Sequence, residues 1–316
     1  MLASLSINIH QNLLFFFCVL SLGAISGMFS EKVGIVNIGI NGMMSMGCVI
    51  YLVVAQVLTS SLGTEGASHS FWQLLALPIA GIGGMLFASL HGFATIKLKS
   101  DHTISGFAIN LLAFGLAIIL LDIFGNGNKK PAMNIQELAY IVNFSAGRFE
   151  VFSLKIFVTL LIIVLSAIML YMTKWGLRFR SVGENPQASD VAGINVNSYK
   201  WQGVLISGFI AGIAGGFFAQ ARPSSFNGDV LGYGYLALSI MIMGQWNIYI
   251  ISAITFLFSG LYAFAFSAPS FIPGLSQYQA LFTLIPYVSA LAVIALTARK
   301  SHAPAASGIT YDKSKR

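Results

Sequence analysis

The feature that most limits what this chain can become is a succession of apolar stretches, each about 20 residues long, that almost no charge interrupts. That length carries an α-helix across the hydrocarbon core of a bilayer, whereas a membrane barrel strand would show alternation over about 10 residues. The stretches fall at 11–29, 33–58, 71–96, 102–122, 151–173, 201–221, 232–246, 248–267 and 280–298. Only 9% of the 316 residues are charged, against about 25% in a typical soluble domain, so the chain cannot clothe a water-facing surface of its size. The expected fold class is all-α: a polytopic membrane helix bundle of about nine transmembrane helices, with about eight to ten as the range. The stretch at 232–246 has too few apolar residues for a comfortable span and is expected to be short or re-entrant. The first stretch lacks a basic flank and a small-residue cleavage site, so it reads as a retained helix.

The remaining charges lie in the loops, where Lys and Arg concentrate on the cytoplasmic side of membrane proteins. If 174–200 is cytoplasmic, twelve of the 17 Lys and Arg fall inside, leaving Lys129, Lys130, Arg148, Lys155 and Arg222 outside. That frame puts the C-terminus in the cytoplasm and the N-terminus outside the plasma membrane. The net charge of +7 therefore reports topology and gives no reason to expect nucleic acid as a partner. Residues 1–300 form one transmembrane domain with 174–200 as its cytoplasmic loop, and the Ala, Ser and Lys-rich stretch 301–316 is expected to be a disordered cytoplasmic tail. Cys18 and Cys48 sit in apolar stretches and make neither a disulfide framework nor a zinc cluster. The five histidines show no HExxH spacing, and neither a phosphate loop nor GxGxxG occurs. No cofactor, no metal and no enzymatic centre are expected, since no nucleophile and base can be read from spacing.

Five segments carry chemistry. In Glu31–Met44, glycines at 34, 39 and 42 weaken a helix, while Asn37 and Asn41, four apart, would share one helical face. Carboxamides avoid lipid, so this is either an interrupted helix lining a solute route or a close helix contact glued by Asn hydrogen bonds. In Lys97–Leu112, Asp101 suits a helix start, whereas Asn110, with Ser105 nearby, lies inside an apolar run and wants a partner helix or a solute. In the inner loop, Asn185-Pro186 reads as a helix start and Gly193 as its stop. Ala188, Val191 and Ala192 then make a small apolar face on a helix too short to hold its shape alone, so it is a docking element or an ordinary connector. Gly208, Gly212 and Gly216 form a doubled GxxxG stripe for close helix packing. In Gly232–Asn247, Trp246 reads as an interface anchor.

The inner segment Arg180–Val196 resembles the cytoplasmic coupling segment of ABC-type permeases of the branched-chain amino acid, ribose and nucleoside import group. Glu31–Met44 looks like the nucleoside branch, whose members read close to ER-x-G-V-V-N-I-G-x-E-G-M-M, and Asp101–Asn110 and Gly234–Asn247 match the same branch in order. Asn41 stands where that branch carries Glu, His102 where it carries an acidic residue, and Lys32 where it carries Arg. The resemblance implies a permease domain that works with a separate ABC ATPase subunit, a second permease subunit and an extracytoplasmic substrate-binding protein, moving a small-molecule solute through the bilayer. Nucleosides are the expected solute, with a sugar or a branched-chain amino acid as the alternative. It assigns coupling to Gly183, Glu184, Asn185, Pro186, Ala188, Asp190, Ala192 and Gly193, and is compatible with a substrate path along Asn37, Asn41, Ser105, Asn110 and Asn247. An ion-driven carrier is the alternative of another class, disfavoured because the span interiors show no carboxylate cluster for proton or sodium coupling.

Overall fold

The computed structural model describes residues 2–125, 133–144, 147–271, 274, 276–297 and 302–312. The chain runs α1 (Leu2–Glu31), α2 (Ile40–Ala67), α3 (Trp72–Gly92, continued by a π turn to Lys97), α4 (His102–Phe124), a hairpin of β1 (Ala139–Phe144) and β2 (Gly147–Ser153), α5 (Leu154–Met172), α6 (Lys174–Glu184), α7 (Pro186–Val191), α8 (Val196–Ala221), α9 (Tyr233–Met243), α10 (Ile248–Phe271) and α11 (Gln279–Thr297). Among the described residues seven helices are long and apolar enough to cross a bilayer. Two shorter apolar helices, Tyr233–Met243 and Leu284–Leu296, occupy the seventh and ninth expected stretches. The polytopic helix bundle is as the sequence implies.

At the centre stands α8, packed against α3, α2 and α1. Its glycine stripe makes this possible. A Cβ added at Gly212 would lie 2.3 Å from the carbonyl oxygen of Ala80 in α3, and one at Gly215 would lie 1.9 Å from that of Met44 in α2. Gly47 and Gly84 answer from the facing helices, where an added Cβ would meet the carbonyl oxygens of Gly212 and Gly208 at 2.2 and 2.3 Å. Backbones this close gain dispersion contact that lipid cannot match. Ser26 of α1 ties in by donating to the Ser207 carbonyl at 2.8 Å. By contrast α4 and α5 present most of their length outward, with Leu111 75% exposed as a lipid-facing side chain should be.

Several expectations change. The loop expected at 174–200 is mostly helical, because Thr173, Asn185 and Asn195 each cap a helix start with a side-chain oxygen. Between the apolar stretches 102–122 and 151–173, and running into the start of the second, lies the antiparallel β1–β2 hairpin. Lys155 at the head of α5 pins it, reaching Glu150 at 2.7 Å and Glu137 at 2.8 Å. Burial pushes the Glu137 carboxyl up from its ordinary range, with Lys155 opposing that rise. Within the stretch 301–316, expected to be a disordered tail, residues 302–312 are described and lie against the helix ends, as Ala306 donates its amide to the Gly183 carbonyl at 2.9 Å and is buried, while 301 and 313–316 lie outside the described residues. Small side chains leave that backbone free to pair. Trp246 is no interface anchor: it is buried, and its indole N–H donates to Glu31 Oε2 at 2.7 Å.

Gly212→Leu should cost more than the ~1–3 kcal/mol of ordinary overpacking, because carbonyl oxygens rather than flexible side chains block the space. Size-exclusion after heating in detergent should show loss of monodisperse protein. Gly115→Leu, at a position with nothing within 4 Å, should leave the profile unchanged.

Candidate functional site

The site forms where the backbone between α1 and α2 leaves helical geometry. After Glu31 the chain turns through Gly34 at φ +82°, runs irregularly through Ile35–Asn37 and re-enters a helix at Ile40. Irregular backbone between two membrane-spanning helices survives only if other groups satisfy it. Ser30 Oγ donates to the Ile35 carbonyl at 2.8 Å. Val36 is held on both sides: its N–H donates to His102 Nδ1 at 3.3 Å, and its carbonyl lies 3.1 Å from His91 Nε2. His91 is buried in α3 and is itself set by Ser105, whose Oγ lies 2.9 Å from Nδ1. One step further, Asn110 of α4 donates to the Ile38 carbonyl at 3.0 Å and accepts from the Gly42 N–H at 2.7 Å. It thus supplies the cap that Gly39 lacks.

A second helix start meets the first. α9 has 11 residues, about 16 Å of helix, so it cannot cross a core of about 30 Å by itself. It begins at Gly232, in the left-handed region at φ +72°. Its approach is close, since a Cβ on Gly234 would lie 2.4 Å from the Asn41 Cα. Asn41 accepts from the Gly234 N–H at 3.1 Å and donates to Asp229 Oδ1 at 2.5 Å. The other Asp229 oxygen accepts from the Gly232 N–H at 3.0 Å. Asn110 closes the cluster by donating to the Tyr235 hydroxyl at 2.9 Å, and Tyr235 opens it to the surface at 40% exposure. Asn41, Asn110, Asp229 and Tyr235 therefore set acceptors and donors around the N-termini of two helices, an arrangement suited to a polar solute.

The residues singled out in sequence separate accordingly. Asn41 and Asn110 share the cluster. Asn37 does not share a helical face with Asn41, because Asn37 precedes α2 on non-helical backbone; it donates to Ser207 Oγ at 3.1 Å, and its Oδ1 is buried without a partner among the described residues. Ser105 supports His91. Asn247 caps α10, accepting from the Tyr249 N–H at 3.0 Å. Asp229, Tyr235 and His91 went unread. Asp229 did leave a trace, as a lone carboxylate between Gly228 and Gly232 just ahead of a helix too short to span.

At one end of the bundle lies the segment assigned to coupling. Asn185 accepts from the Ala188 N–H at 2.9 Å, Pro186 opens α7, and Gly193 ends the turn at φ +79°. Gly183 is buried so tightly that an added Cβ would lie 2.2 Å from the Lys32 carbonyl oxygen. Burial lowers the Lys32 ammonium from its usual range, and the Glu184 carboxylate partly offsets this. Ala188, Val191 and Ala192 all point outward, Val191 being 76% exposed, so the small apolar face of α7 is uncovered within this chain.

Asn110→Leu should destabilise the folded protein by about 1–3 kcal/mol for each of the two backbone groups it strands. Asn247→Ala should cost only about 1 kcal/mol, the worth of a helix cap. Thermal unfolding of the two variants in detergent checks the order.

The family described as branched-chain amino acid transport system, permease component, matches residues 9–297. The nucleoside ABC transporter permease protein NupC of Lactococcus lactis subsp. cremoris is 37% identical, over 97% of each chain. The guanosine ABC transporter permease protein NupQ of Bacillus subtilis is 34% identical, over 94% of each. The nucleoside ABC transporter permease protein NupB of the same Lactococcus is 22% identical, over 71% of this chain and 63% of its own. No solved structure matches. With the bundle, the broken helix start and matches running nearly end to end, the chain belongs to the branched-chain amino acid transport permease family.

Proposed function

We propose that this chain is the membrane-spanning permease subunit of an ATP-driven nucleoside importer. The observation that carries the reading is the cluster of Asn41, Asn110, Asp229 and Tyr235 around two helix starts. A nucleoside offers hydroxyls and ring nitrogens to such groups, and a flat base to Tyr235. Relatives that span nearly the whole chain and carry nucleoside or guanosine in their names support the solute class.

Energy enters at the α6–α7 junction. The uncovered face of α7, with Glu184, Asn185, Asp190 and Gly193 around it, is the dock for a separate ABC ATPase subunit in the cytoplasm of the cell. Closure of the ATPase pair pushes on α7 and rocks the bundle between outward and inward access. A second permease subunit completes the membrane assembly; the separate NupB and NupC names in Lactococcus favour a distinct chain for it. An extracytoplasmic binding protein delivers the solute on the face that carries the β1–β2 hairpin, with the chain's N-terminus on that side of the plasma membrane and its C-terminus inside.

Val191→Asp, which places a charge on the uncovered α7 face, should abolish co-purification of the ATPase while the variant still inserts and folds. Retained co-purification refutes the docking role. In cells carrying the intact system, uptake should be competed by guanosine and not by ribose or leucine. Competition by ribose or leucine would reassign the solute.

A further inference from the structure

Residues 302–312 touch the ends of several helices at once. Ala306 donates its N–H to the Gly183 carbonyl at 2.9 Å, and Gly308 donates to that of Gly34 at 3.1 Å. The Ala305 N–H lies 3.4 Å from Glu184 Oε2, and the His302 N–H donates to Gln245 Oε1 at 2.7 Å. Asp312 pairs with Lys99 at 3.1 Å. Tyr311 lines a small gap with Ile35, His102 and Lys200.

Each contact falls at a junction. Gly183 and Glu184 end α6 and lead through Asn185 into α7. Gly34 and Ile35 lie in the irregular backbone that leads to Asn41. Gln245 lies in the turn after α9, with Gln245 and Trp246 both at φ +52°, and α9 carries Gly234 and Tyr235. Lys99 lies in the turn before α4, which carries Asn110. The strands of backbone are also in direct register: an added Cβ at Gly34 would lie 2.9 Å from the Ala306 carbonyl oxygen, just as one at Gly183 would meet Lys32. Three main chains, at 32–34, 183 and 306–308, are therefore stacked with no side chain between them.

We infer that residues 302–312 are a positioning strap, which makes the α7 junction move as one body with the turns that lead into α2 and α4 and out of α9. Coupling between distant sites can be carried by chains of packed contacts, and the strap adds such a chain between the α7 junction and the turns that hold the polar cluster. The inference rests on α7 being the ATPase dock. The strap acts through those turns and touches no solute.

The test uses the complete transporter, reconstituted in proteoliposomes with its ATPase, second permease and binding protein. The intact chain is compared with one ending at Lys300, with Ala306→Trp, too large for its buried seat, and with the conservative Ala306→Ser. The expected result is that the truncated chain and Ala306→Trp still co-purify with the ATPase and support ATP hydrolysis. Guanosine carried per ATP should fall by about tenfold, a usual size for a coupling effect, and Ala306→Ser should keep the intact ratio. An unchanged ratio in the truncated chain overturns the strap, and so does loss of the ATPase on truncation, which would make the tail part of the dock. Val191→Asp run in parallel separates the two readings: if that variant keeps the ATPase, it is the docking role of α7 that fails, and the strap falls with it.

Discussion

A bilayer offers no water to a peptide group, and the rest of this structure follows from how one stretch of broken backbone answers that demand. Between Glu31 and Ile40 the chain gives up its helical hydrogen bonds. Side chains from two other helices, α3 and α4, and from α1 itself replace them: Ser30 on Ile35, His91 and His102 on Val36, Asn110 on Ile38 and Gly42. Each of these polar groups would be a liability alone in hydrocarbon. Together they satisfy one another, and the helix start they hold open is where Asn41 meets Asp229 and α9.

The glycine packing around α8 serves the same end. Bringing α2, α3 and α8 to backbone contact fixes Gly47 and Gly212 against each other, and so fixes the start of α2 relative to the His91 face of α3. A polar cluster keeps its geometry only if its supports do not drift. Here the supports are main chains in contact, which have no rotamers to sample.

The bundle was legible because apolar length is a strong signal, and the α7 cap was legible because Asn185 suits a cap and Pro186 the first helical position, with Gly193 as the stop. Asn41 and Asn110 could be picked out as polar groups inside apolar runs. Their partners could not, since nothing local tells that Asp229, 188 positions from Asn41, folds back onto it. The shared-face reading of Asn37 and Asn41 failed for a related reason. It assumed helical periodicity across Gly34, and the left-handed turn there cancels the phase. Trp246 misled because an indole at the end of an apolar run looks alike whether it faces headgroups or a buried carboxylate. Asn247, which the resemblance places along the path, closes the first turn of α10 with its side chain.

The packed tail has a consequence for how such a chain can change over time. Its anchoring bonds to Gly183 and Gly34 are donated by main-chain amides, so they survive nearly any exchange of side chain that stays small at Ala306 and keeps an amide at 306 and 308. Composition there can drift toward Ala, Ser and Gly and still specify the same attachment. Selection would act on register and length, and two relatives could share this fastening while their last residues show no resemblance at all.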